Sequence, residues 1–246
     1  MQTVPSLESN LLLATLPGAA LDRLRPAMTI REYRVAERIF ETGATPDVLF
    51  PLDGIVSLIQ ELEDGNAVEV SMVGAEGMAG FSGLLGVAAS PHTGLTQGRG
   101  LFAVCAVQAM RELFDSDAAA RDVILRWTHV ALAQMAQTAV CNRAHEATMR
   151  LAHWFLLIHD RAATDEISVT HEFLALMLGA RRATITEAMN ALSGSGSIVA
   201  ARGRVRIVNR RLLETQSCEC YAAAVGHYEV AFGFAPRATT RSTEVD

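Results

Sequence analysis

Between residues 30 and 108 the apolar positions fall in short runs, at 48–50, 55–59, 68–73 and 101–104, separated by polar residues and glycines. Runs of this length bounded by turn residues predict strands. Glycines at 43, 54, 65 and 74 recur at intervals of 11, 11 and 9 residues, and that even spacing predicts a sandwich or barrel-like β-domain. Asp64-Gly65 lies between two of the runs. It predicts a hairpin, because glycine adopts the positive φ that a tight turn demands.

The pattern changes after Met110. Residues 117–142 contain no Gly or Pro, and Ile124, Trp127, Ala131, Met135 and Thr138 recur at steps of three and four. That is one stripe of a long helix. Val123, Leu125, Val130 and Leu132 widen the apolar surface almost around it, so the helix must be covered on several sides. A second copy packed about a twofold axis is the simplest cover; burial within one chain is the alternative. Residues 145–160 read as another helix, with Leu151, Trp154, Phe155 and Ile158 on one side. The tail from Phe232 onward has little apolar pattern and reads as mobile.

The stretch from residue 167 to 208 carries the most information. Residues 167–169 are a short β-like lead, and Thr170 is an N-cap candidate whose hydroxyl accepts from free amides of the first turn. Phe173, Leu174, Met177 and Leu178 form an apolar face, and Gly179 ends the helix with a left-handed residue. A second helix begins near Arg182 with Ile185, Met189 and Leu192 as its spine, and Gly194 and Gly196 close it. Two β-like runs, 198–200 and 205–208, are joined through Arg202-Gly203-Arg204. Helix, glycine turn, helix and basic hairpin in that order predict a winged helix-turn-helix. Arg181, Arg182, Thr184, Thr186 and Glu187 stand on the second helix away from its spine, at the end that enters the major groove in this motif. Arginine can fork onto guanine and glutamate can accept from cytosine. Thr hydroxyls, the helix N-terminus, and Arg202 and Arg204 on the hairpin suit phosphates.

Charge supports this reading. The chain carries a net −6, yet residues 167–213 hold seven arginines against two glutamates, a surplus of five that leaves −11 for the rest. A basic module on an acidic body is the footprint of a DNA-binding domain. All 21 basic residues are arginine.

The residues 170–185, Thr-His-Glu-Phe-Leu-Ala-Leu-Met-Leu-Gly-Ala-Arg-Arg-Ala-Thr-Ile, resemble the helix-turn-helix of the CRP/FNR family of bacterial regulators. The likeness runs on through Met189, Leu192, Ile198 and Gly203, and more weakly back over nearly the whole chain. It implies an α+β architecture in three parts. These are an N-terminal β-roll (double-stranded, jelly-roll-like) related to cyclic-nucleotide-binding domains, a long dimerisation helix, and a C-terminal winged helix-turn-helix. The expected divisions are 1–116, 117–144, 145–213 and a C-terminal extension at 214–246. Within the resemblance, Arg182 falls where the family places a base-reading arginine. The next position, often Glu, is Ala183, and a frequent arginine position is Glu187; these departures bear on the operator sequence and not on DNA binding itself.

The family's nucleotide cassette needs a carboxylate after a glycine and an arginine about ten residues later. Phe81 stands at the first position and His92 near the second, while Arg99 is too far along. A phosphate without a fixed cation or amide nest is poorly held. No cofactor is therefore expected, and the effector is unknown. An iron–sulfur cluster of the FNR kind is not expected either, since no cysteine precedes Cys105.

Cys141 and His145 are four apart at a helix end and can share a face, and Cys218-Glu219-Cys220 follows the wing. Together they would make a thiol- or metal-responsive site, the second functional reading. A lone Cys-x-Cys is a weak signature, so the four are read as unrelated groups and no metal is assigned. Gly80-Phe81-Ser82-Gly83 approaches a nucleophile elbow but has Leu84 where the last glycine belongs. A serine hydrolase built on Ser82 is thus the remaining alternative, and no enzyme is expected. The expected partners are double-stranded DNA, a second copy of the chain and, for an activator, RNA polymerase. No apolar run reaches membrane-spanning length and no basic segment precedes Leu11-Leu12-Leu13. The expectation is a cytoplasmic protein with reduced thiols.

Overall fold

The computed structural model describes residues 5–162 and 164–236. Two short helices, α1 (Leu11–Ala14) and α2 (Gly18–Leu24), open the chain. Asn10 explains the first of them. Its side chain accepts from the Leu13 amide at 3.0 Å and donates to the carbonyls of Pro51 and Gly77 at 2.9 Å each. The leucine run that follows is a core helix, with Leu12 and Leu13 buried against the β-domain.

The β-domain comprises β1 (Met28–Tyr33), β2 (Arg38–Phe40), β3 (Val48–Pro51), β4 (Val56–Glu61), β5 (Ala67–Val73), β6 (Thr93–Thr96) and β7 (Gly100–Cys105). They form two antiparallel sheets in the orders β1-β7-β3 and β2-β6-β4-β5. Phe40, Leu49, Val56, Leu58, Phe102 and Val104 fill the space between them. The β4–β5 hairpin turns where the sequence predicts it: Gly65 has φ +82°, and its amide donates to the Leu62 carbonyl at 3.0 Å.

Helix α3 (Val107–Ser116) leads into α4 (Ala118–Ala144), whose start is capped by Asp117 accepting from the Ala120 amide at 3.0 Å. The apolar stripe of α4 faces inward rather than toward a second copy. Trp127 is 1 % exposed and meets Phe81 edge to face at 4.7 Å, and Val123, Ile124, Val130 and Ala131 are buried beside it. What α4 leaves open is a different stripe. Leu125, Leu132 and Val140 are 46 %, 63 % and 55 % exposed, and His129, Ala136 and Ala139 lie between them, none of them buried. The period alone does not separate the two stripes, because α4 is apolar on both.

After α5 (Ala147–Arg161) come β8 (Glu166–Ser168), α6 (His171–Leu178), α7 (Arg182–Ser195), β9 (Ile198–Ala201), β10 (Arg204–Ile207), α8 (Arg210–Gln216) and α9 (Cys220–Phe232). Much of the segment expected as an extension is thus helical. Helix α9 lies along α4, where Arg126 donates to the Ala231 carbonyl at 3.1 Å and sits over the Phe232 ring at 5.2 Å. Phe232 in turn stacks on Phe234, with ring centroids 5.4 Å apart. Residues 237–246 of the expected mobile tail lie outside the described residues.

The helix-turn-helix region and the β-domain share one core. Ile55, Ile59, Met72 and Leu95 of the β-domain pack with Trp154, Phe155 and Ile158 of α5 and Met177 of α6. Polar contacts cross the same boundary. The Trp154 indole donates to Glu69 at 3.1 Å, and Ser57 also bonds this carboxyl. Burial pushes the Glu69 carboxyl up to about 7, against the hydrogen bonds that favour its charged form. Beside it, the buried Arg161 guanidinium pairs with Glu76 at 2.8 Å. Among the described residues no helix is long and apolar enough to cross a membrane.

Candidate nucleic-acid interface

The region 166–207 builds the predicted motif from local rules. Thr170 caps α6 by accepting from the Phe173 amide at 3.2 Å. Gly179 ends α6 with φ +56°, and a side chain there would also press on Val68 at 3.2 Å. Glycine therefore meets both the left-handed backbone and the close approach of β5. Leu174, Met177 and Leu178 of α6 are buried with Ile185, Ala188, Met189 and Leu192 of α7, which fixes the rotation of α7. Its other face then carries Arg181, Arg182 and Glu187 to solvent, with Thr184 and Thr186 at its margins. Strands β8, β10 and β9 form a three-stranded wing in which Gly203, at φ +73°, makes the tip.

Five of the seven proposed contact residues, Arg181, Arg182, Glu187, Arg202 and Arg204, are exposed along this edge. Two arginines have partners within the chain: Arg182 pairs with Glu172 of α6 at 2.8 Å, and Arg204 with Glu166 of β8 at 3.2 Å. Exposed pairs of this kind contribute about 0–1 kcal/mol, so either guanidinium can exchange its carboxylate for a phosphate or base. Thr186 is less available, since its hydroxyl donates to the Arg182 carbonyl at 3.0 Å and lies 3.1 Å from His171 Nδ1. Arg181 and Arg182 border a cleft of about 760 Å³ whose opposite wall includes Leu62, Asn66 and Val68 of the β4–β5 hairpin.

Not every arginine of the basic window faces outward. Arg210 pairs with Asp160 at 2.7 Å and Glu214 at 2.8 Å, so it joins α8 to α5. Arg206, absent from the sequence-based set, is exposed on β10 beside Arg204. Strand alternation could have found it, because Val205 and Ile207 point to the core and the residues between them must point out.

The second constellation also assembles. Cys141, His145, Cys218 and Cys220, which the spacing left unrelated, have ligand atoms all within 4.8 Å of one another. Cys141 Sγ is 3.5 Å from Cys218 Sγ, and Cys220 Sγ is 3.5 Å from His145 Nδ1. The hydrogen bond between Cys141 and Cys218 lowers the Cys218 thiol and raises that of Cys141. His153 of α5 also belongs here, its Nδ1 3.5 Å from Cys141 Sγ. No spacing signal marks His153; the turn between α4 and α5 folds it back beside the Cys141 thiol.

A family described as the Crp-like helix-turn-helix domain matches residues 149–216. Among curated proteins nothing matches the sequence. Solved structures resemble the chain over most of its length. A transcriptional regulator of the crp/fnr family from Eubacterium rectale superposes with a TM-score of 0.68 at 15 % identity, covering 85 % of this chain and 98 % of that one. A CRP-family transcriptional regulator from Thermus thermophilus gives 0.64 at 18 % identity, covering 85 % and 100 %. FixK2 from Bradyrhizobium japonicum gives 0.64 at 16 %, covering 78 % and 98 %. The chain thus carries a Crp-like helix-turn-helix domain set in the fold of the CRP/FNR transcriptional regulators.

Proposed function

We propose that this protein is a transcription regulator that binds double-stranded DNA as a homodimer and does not require cyclic AMP. The observation that carries the reading is the solvent-facing arginine edge of α7 and the wing, held in place by a fully buried spine, on a body that is otherwise acidic. Within that edge Arg182 reads a base, with Glu187 as a second reader, while Arg202 and Arg204 at the wing tip grip phosphates. A bidentate contact to guanine discriminates by about 1–3 kcal/mol, more than the exposed pair with Glu172 that Arg182 gives up. Arg182→Ala is expected to relax preference at one base pair of each half-site. Arg204→Ala is expected to weaken binding to all sequences and to lower the salt slope by about one per contact, two per dimer. Half-sites should be inverted, with centres about 10 base pairs apart. Genomic DNA selection followed by titrations at several salt concentrations tests this. If Arg182→Ala lowers all affinities equally while Arg204→Ala alters base preference, the two roles are reversed.

Independence from cyclic AMP rests on the β-domain. Phe81, at the position the resemblance gives to the cassette carboxylate, instead meets Trp127 of α4 edge to face, with ring centroids 4.7 Å apart. His92 bonds Gln60 at 3.2 Å, and burial lowers its pKa toward the neutral form. Arg99 is paired with Glu32 at 2.6 Å on an exposed surface. Calorimetry is expected to show no saturable micromolar binding of cyclic AMP, and operator affinity should be unchanged by it. One-site micromolar binding would contradict this part of the reading. Ser82 offers no support for hydrolysis, because it lies within a 3-10 helix, Phe81–Leu85, rather than at a strand-to-helix elbow.

A further inference from the structure

We propose that Cys141, His145, Cys218 and Cys220 form a tetrahedral site for a zinc-class divalent ion, joining the end of α4 to the α8–α9 connection. The four come from two segments more than seventy residues apart in the chain. Cys141 lies in the last turn of α4, and His145 is the residue that caps that helix. Cys218 and Cys220 flank the start of α9. All three thiols are buried, and His145 is half-buried.

The geometry suits a d¹⁰ ion. Zn–S bonds of about 2.3 Å place two thiolates of a tetrahedron about 3.8 Å apart. The Cys141–Cys218 and Cys220–His145 separations, both 3.5 Å, are close to that edge. No separation in the set exceeds 4.8 Å, at most about 1 Å beyond that edge, a shift that side-chain rotation supplies. Three sulfurs and one imidazole are the donor set of a closed structural zinc site.

The surroundings are those of a built site. His145 presents Nδ1 to the sulfurs, while Nε2 lies 3.3 Å from a Glu219 oxygen. A carboxylate on the far nitrogen holds a ligand imidazole in the right tautomer and raises its basicity. Gln137 donates to Cys220 Sγ at 3.0 Å. His153 can donate from Nδ1 to Cys141, which lessens the charge on sulfur. Three thiolates around a dication leave a net negative charge, and the half-buried Arg150 lines the same cleft as Cys141 and His153. Arg150 also donates to the carbonyl of Leu178, the last residue of α6. The ion would thus lie one side chain away from the turn of the helix-turn-helix. The site stands on these donors alone and does not depend on the DNA-binding reading.

The test uses the reduced full-length chain, stripped with a chelator and titrated with cobalt(II). The expected result is one cobalt per chain, with a thiolate-to-cobalt charge-transfer band in the near ultraviolet and the visible bands of tetrahedral cobalt, all displaced by zinc. Cys218→Ser and Cys220→Ser should abolish the tetrahedral spectrum. Cys105→Ser, whose thiol lies in the β-domain core, should keep it. Two further variants guard against simple misfolding. His145→Cys should still bind one cobalt with the altered spectrum of a four-sulfur site. Glu219→Ala changes an exposed side chain and should lower cobalt affinity roughly 10–100-fold. Absence of tetrahedral cobalt in the reduced wild type would overturn the proposal. So would a Cys141–Cys218 disulfide as the only chemistry of the cluster, or an undiminished spectrum in Cys218→Ser.

Discussion

Leu132→Glu is expected to turn a dimer into folded monomers and to remove most operator affinity. Leu125, His129, Leu132, Ala136 and Ala139, with Val140 beside it, follow the alternating three-and-four spacing of a helix–helix seam. In the single chain this stripe has little cover, whereas the neighbouring stripe is buried against the β-domain. Burying a leucine contributes about 1.5–3 kcal/mol, and a glutamate there would also face its own copy across the twofold axis. With two substitutions per dimer, the loss is on the order of 10⁴-fold in the dimer dissociation constant, taking 1.4 kcal/mol per tenfold. A monomer holds only one half-site, so the salt slope of binding should fall by about half. Sedimentation velocity and operator titration on the same sample provide the check. Trp127→Glu is the informative contrast, because Trp127 is 1 % exposed within its own chain. That variant should lose its fold rather than yield a folded monomer. A wild-type chain that sediments as a monomer at micromolar concentration would end the dimer reading.

Arg161→Met is expected to destabilise the chain by about 3–5 kcal/mol, the usual cost of leaving one member of a buried ion pair alone. The side chains of Arg161 and Glu76 are 1 % and 2 % exposed. Glu76 accepts from the Gly74 amide at 2.9 Å and lies 3.4 Å from the Tyr228 hydroxyl. The carboxylate thus ties together the loop after β5, α5 and α9. Without the guanidinium its charge stays buried on two weaker donors. Removing both charges in Arg161→Met/Glu76→Leu should recover most of the loss, since apolar groups of similar volume replace a buried pair at little net cost. Urea unfolding of wild type, both single variants and the double variant, at one protein concentration, measures the coupling. If the double variant is as unstable as the sum of the singles, the pair is not what holds this junction.

The helix-turn-helix was legible because its information is local. Thr170 caps, Gly179 turns, and Ile185, Met189 and Leu192 repeat within a few residues of one another, each through its own backbone requirement. The strand-forming runs at 48–50, 55–59, 68–73 and 101–104 were legible for the same reason. Strand β1, with most of its residues exposed, and the three-residue β2 have no apolar run to announce them. Strand β6, whose four residues are Thr-Gly-Leu-Thr, is buried by its place in the sheet. Helix α9 went unmarked because its apolar residues are spread around it, and α4 rather than any period of its own selects the buried face.

Sequence by itself determined the order of parts, the basic edge of α7 and the wing, and the departures at Phe81 and His92 from a nucleotide cassette. Each depends on residue type at a fixed local offset. Tertiary structure decided which stripe of α4 is left exposed, that Glu76 and Arg161 would meet, and that Cys141 and His145 would stand beside Cys218 and Cys220. Those outcomes depend on which helix faces are brought together across seventy or more residues of chain. A helix that is apolar on two sides, or two ligand pairs far apart in sequence, specify their contacts only once the rest of the core has chosen how to close.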